Sequence, residues 1–176
     1  MNTRCKLYAG LLFIAGLFGN YPVKAQHGKG FQSFNRYGAG VQKSAYIDVG
    51  WLAYSYTPSR HKGRYYDISA GTEAIISKYF LVAPKLSMDA AIMPVFGGKS
   101  FYPGFGMDFS VPTNFRECDY LLTPKAGIAL AYGLLRLYYG YNFVIGKQHF
   151  TQVGAHKISF EVNLSSLQGE KLQIVH

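Results

Sequence analysis

A chain of 176 residues suffices for one domain, and 49% hydrophobic content with only 15% charged residues places it among folded proteins rather than disordered ones. The formal net charge of +9 would suit a nucleic-acid partner, but an export signal at the N-terminus speaks against that class. Two cysteines are too few for a disulfide-stapled secreted scaffold.

Residues 1–25 read as a cleaved signal peptide. Arg4 and Lys6 make the positive n-region, Leu7 to Phe18 the apolar stretch, and Val23-Lys24-Ala25 puts small residues where a signal peptidase reads. Cleavage after Ala25 takes Arg4, Lys6 and Lys24 away, lowering the net charge from +9 to +6. It also removes Cys5, so no intramolecular disulfide is expected at Cys118. Glu117 and Asp119 beside Cys118 disfavour its thiolate and hence a nucleophilic role. The apolar run is short of the roughly 20 residues that span a bilayer as a helix, and no such run follows. Any passage through a membrane is therefore expected as a closed barrel.

Residues 26–164 are expected to form the barrel and 165–176 a polar tail. Seven segments alternate with a period of two: Ala45–Tyr56, Tyr65–Ser77, Tyr79–Met93, Ser100–Val111, Tyr120–Tyr132, Leu134–Ile145 and His156–Leu164. Most match or exceed the ~9–11 residues of a tilted transmembrane strand. An eighth strand is expected at Asn35–Gln42, with Lys171–Val175 as the other candidate.

Each segment separates into two faces. Ile158, Phe160, Val162 and Leu164 oppose Lys157, Ser159, Glu161 and Asn163; Leu135, Leu137, Tyr139, Tyr141 and Phe143 oppose Arg136, Tyr138, Gly140 and Asn142. In the fourth segment Phe101, Phe105, Met107, Phe109 and Val111 oppose Tyr102, Gly104, Gly106, Asp108 and Ser110. No apolar face carries a charge, and every opposite face carries at least one. A water-facing strand surface is usually rich in Lys, Glu and Thr. Here the polar faces mix isolated charges with Gly, Ala and Ser, which suits the narrow interior of a barrel of about eight strands. Asp48, Asp67, Glu73, Asp89, Asp108 and Glu161 are expected to meet Lys85, Lys125, Arg136 and Lys157 across that interior, because unpaired charges there are costly. Tyrosines near segment ends (Tyr54, Tyr56, Tyr65, Tyr66, Tyr79, Tyr120, Tyr132) read as interfacial girdles.

With the leader ending at Ala25-Gln26, segments such as Leu122–Leu130 and Leu137–Val144 resemble small outer-membrane β-barrel domains of the OmpX/OmpA-like type. The resemblance covers nearly the whole mature chain and rests on pattern rather than on a diagnostic motif. It implies an all-β, antiparallel up-and-down transmembrane barrel of about eight strands, in a family with structural, adhesive and enzymatic members.

Pro84, Pro103 and Pro124 fall inside segments and each removes a ladder donor, so a bulge or weakened seam is expected at each. An enzyme would need a nucleophile, a base and an orienting group in reach. His156 with Glu161 or Asp119 is the set that can be drawn, but no G-x-S-x-G signature accompanies it, so no catalytic residue is assigned. No metal-ligand spacing appears, and no cofactor is expected. Arg60, Lys62 and Arg64 form a basic connection that could contact anionic lipid, with a solvated turn as the alternative. The expected protein is a monomeric outer-membrane barrel acting in envelope structure or through loops that meet an envelope partner. The alternatives are a barrel enzyme modifying lipid A or phospholipid, and a soluble periplasmic lipocalin-like barrel holding an apolar ligand.

Overall fold

A computed structural model of the chain describes residues 29–56, 65–78, 80–91 and 101–164. Alternating, β-branched and aromatic-rich segments become eight strands: β1 (Lys29–Gln42), β2 (Ser44–Tyr56), β3 (Tyr65–Ile76), β4 (Leu81–Ala91), β5 (Phe101–Ser110), β6 (Leu121–Leu130), β7 (Leu135–Tyr141, resumed at Phe143–Val144) and β8 (His156–Asn163). Each pairs antiparallel with its sequence neighbours, and β1 also pairs with β8, so the sheet closes on itself. Closure leaves no edge strand. The only helical turn among the described residues is Ala131–Gly133.

The eighth strand lies on the N-terminal side, as expected, but begins at Lys29 rather than Asn35. The alternative strand at 171–175, the tail from 165, and the connections 57–64 and 92–100 lie outside the described residues. β1 starts and β8 ends at one end of the barrel, here the terminal rim. The opposite, distal rim carries the β1–β2 turn at Lys43 (φ +63°), the β3–β4 connection, residues 111–120 and residues 145–155.

The expected faces hold along most strands. Ile47, Ile68, Met88, Phe105, Met107, Phe109, Leu137, Tyr139, Ile158 and Phe160 are exposed on the outer wall, while the charged and glycine-rich faces are buried inside. Val111 departs from this: placed with the apolar face by its parity, it is 2% exposed. It lies one residue past β5, where its N–H donates to the Pro84 carbonyl (3.0 Å) as the chain turns across β4.

The prolines are not bulges. Each belongs to an unbroken ladder on one side: Pro84 opposite Thr72, Pro103 opposite Ile128, Pro124 opposite Met107. On its other side each sits just past a ladder end or in a gap. The β4–β5 ladder runs from Lys85 to Ala91, so Pro84 lies immediately outside it and Pro103 immediately beyond Gly104. The β6–β7 ladder is missing its Thr123 and Pro124 steps, with the register unchanged beyond them. A missing N–H breaks the pairing it would have made and leaves the strand's other side intact. The register shifts occur elsewhere, between Ser33 and Arg36 and between Gly50 and Leu52. At the first, Phe34 adopts φ +51° and the consecutive Asn35 and Arg36 are both buried.

Candidate functional site

The interior is a layered network of charge. Two pairs of carboxylates are direct cross-strand neighbours, Asp48 with Glu73 and Asp67 with Asp89. Like charges in that position oppose pairing. Cations from other strands resolve both. Lys85 on β4 pairs with Asp48 and lies 3.0 Å from Glu73, and Lys157 on β8 pairs with Glu73 from the far wall. Arg136 on β7 reaches across to Asp67 and stands 3.6 Å from Asp89.

At the centre, Lys125 Nζ lies 2.9 Å from Asp89, 2.9 Å from Asp108 and 3.1 Å from Glu161, and 4.8 Å from the Tyr138 ring. Arg36 adds contacts to Asp48 (3.1 Å), Asp89 (3.7 Å) and Glu161 (4.0 Å). Lys125–Asp89, Lys125–Glu161 and Arg36–Asp89 join strands that are not neighbours in the sheet, so they act as struts across the lumen. None of the eleven residues is more than 5% exposed. Glycine makes the room: a Cβ at Gly104 would lie 2.9 Å from the Tyr138 ring, and one at Gly106 2.7 Å from Lys125 Cε.

Apolar packing closes the distal end of this lumen. Tyr46, Ile75, Leu81, Ala83 and Leu121 cluster with Phe150 and Val153 from the β7–β8 connection. Asp119 ties that connection down: its carboxylate accepts the backbone N–H groups of His149 (2.8 Å) and Phe150 (3.0 Å) and lies 2.7 Å from His149 Nδ1. Below the cap, Asn142 links Gln42 (2.8 Å), Thr123 (2.6 Å) and the Gly154 carbonyl (2.7 Å).

Asp48, Glu73, Lys85, Asp89, Lys125, Arg136, Lys157 and Glu161 thus all lie in one connected interior network. Arg36 was not singled out by the sequence. Its signal was available, because Arg36, Gly38, Gly40 and Gln42 alternate with Tyr37, Ala39 and Val41. Phe150 and Val153 carry no comparable signal, since connection residues have no period. Arg60, Lys62 and Arg64 fall outside the described residues.

The drawn histidine set is not assembled. His156 opens β8 on the outer wall, where its Nδ1 is 2.6 Å from the Tyr139 hydroxyl and its ring meets Tyr141 edge-on. Glu161 points into the lumen and Asp119 binds the 149–150 backbone. Cys118 is disulfide-bonded, which corrects the expectation that no intramolecular disulfide forms there. Among the described residues no group of three His, Cys, Asp or Glu is placed to hold a metal.

Comparison with protein-family models, curated proteins and solved structures returns no match. The arrangement therefore has to be read from its own chemistry. Opposite charges consume one another inside, and the wall that faces outward is apolar.

Proposed function

We propose that this chain is a small outer-membrane β-barrel, exported through cleavage after Ala25, that serves as a rigid, non-conducting body in the envelope. The observation that carries the reading is the placement of the two faces: Met88, Phe105, Tyr139 and Phe160 are about half exposed while Asp89, Asp108 and Glu161 are buried. An outward apolar wall around a polar interior suits hydrocarbon surroundings. A ligand-carrying soluble barrel would need the apolar faces inside, where the charges stand. Side chains and struts fill the interior of a barrel of about eight strands, which argues for structure or loop-mediated contact rather than transport.

The test is heat-modifiability in the outer-membrane fraction. A band that partitions there and shifts on boiling is expected. A soluble protein without a shift would overturn the membrane reading. The mature N-terminus is expected at Gln26, and an intact leader on the protein in the membrane fraction would overturn the export step.

A further inference from the structure

Among the residues whose side chains are described, every exposed one with a formal charge lies at the distal rim. Lys43 stands in the β1–β2 turn, Lys78 in the β3–β4 connection, Arg116 in the β5–β6 connection and Lys147 in the β7–β8 connection. Each of the four connections at this end therefore carries one exposed cation, spaced around the circumference by the strand order. One exposed carboxylate accompanies them, Glu117; Asp119 is buried and occupied by the 149–150 backbone.

Two of these cations sit on stiff supports. Lys43 is the single residue between β1 and β2. Arg116 is held at a hairpin tip, where Asn114 Oδ1 accepts the backbone N–H groups of Arg116 (2.9 Å) and Glu117 (2.8 Å).

Just below the cations the outer wall turns apolar. Ile76, Phe80, Tyr141, Phe143 and Ile145 are exposed at or one residue beyond the distal ends of the strands, and no outward strand side chain described below them carries a formal charge. The lumen does not call for these cations, since its five cations already stand among six carboxylates and lie beneath an apolar cap. Positive charge directly above an apolar wall is the complement of a lipid surface, where phosphates lie directly above hydrocarbon. A protein partner would instead favour one compact patch with a buried anchor. Four separated cations suit separate small anions arranged around a perimeter.

We propose that Lys43, Lys78, Arg116 and Lys147 form a collar that binds the phosphate headgroups of anionic lipid at the distal face, an inference that rests on the membrane reading above. The test folds the protein into phosphatidylcholine bilayers with or without phosphatidylglycerol and reads the thermal midpoint from the boiled and unboiled gel bands. Binding to the folded state alone raises that midpoint. A rise on the order of 5 °C in the anionic bilayer is expected. It should shrink in high salt, which screens exposed charge, and vanish in the combined variant K43N/K78Q/R116Q/K147Q. Asparagine is chosen at position 43 because it tolerates positive φ. The charge-keeping variant K43R/K78R/K147R should retain the rise.

A folded band indifferent to lipid charge, or a rise that survives in the charge-removed variant, would overturn the collar while leaving the membrane barrel in place. An equal rise from inorganic phosphate in pure phosphatidylcholine would overturn its assignment to headgroups. No folded band in either lipid would remove the membrane reading and the collar with it.

Discussion

On β2, Asp48 and Tyr46 are two residues apart, about 7 Å along the strand. The first is held by Arg36 and Lys85, and the second packs in the apolar cap. The same step recurs between Glu73 and Ile75 on β3 and between Lys85 and Ala83 on β4. Three adjacent strands thus change from charge to hydrocarbon at one level of the barrel. The two regions depend on each other. The cap keeps water from the ion pairs, which strengthens each pair and raises the cost of leaving one group unpartnered. The charged layer in turn gives the cap a floor of fixed strands.

This contrast can be broken most severely in the charged layer. Replacing Lys125 with Met leaves Asp89, Asp108 and Glu161 without their shared cation, and a loss of about 3–5 kcal/mol is expected from urea unfolding in bilayers. A loss no larger than that of a conservative cap variant would mean that water reaches the lumen. Gly104→Ala tests the fit between the layers, because its methyl group would press on the Tyr138 ring. About 1–3 kcal/mol is expected, and Gly104→Ala combined with Tyr138→Phe should lose less if the hydroxyl end is what obstructs. The smallest effect belongs to the cap. Ile75→Val removes one buried methylene and should lower stability by about 0.5–1.5 kcal/mol. A larger drop would show that the cap, not the ion pairs, dominates.

Much of this was readable from period alone. Asp108 and Phe109 on β5 lie on opposite faces because successive strand residues must, and only one face of this strand carries charge. What the period hides is where it slips. The irregularity near Phe34 buries Asn35 and Arg36 consecutively, and the shift after Gly50 makes Ala53 rather than Leu52 the next fully buried residue. Backbone dihedrals decide such slips, and a hydrophobic pattern does not record them. Pairing partners across the lumen were also open. Face assignment brings Lys157 inside, but its choice of Glu73 on the far wall depends on the tilt of the strands and the reach of the side chain. The residues that close the cap, Phe150 and Val153, come from a connection, and only the folded chain brings them over the lumen.

The seam between β1 and β8 carries a consequence for assembly. Tyr37 pairs with Val162, and the Leu164 N–H donates to the Asn35 carbonyl at 2.7 Å, so the cylinder is sealed by partners from opposite ends of the sequence. Every other seam joins strands adjacent in the chain and can zip as a hairpin, whereas this one needs the largest loop closed first. The seam should form last, with Arg36 on β1 locking it by contacts to β2, β4 and β8. Which strand comes first is then a property of the gene rather than of the cylinder. Joining the end of β8 to the start of β1 and reopening the chain at the β5–β6 connection would preserve every described strand pairing while moving the late step to a different seam.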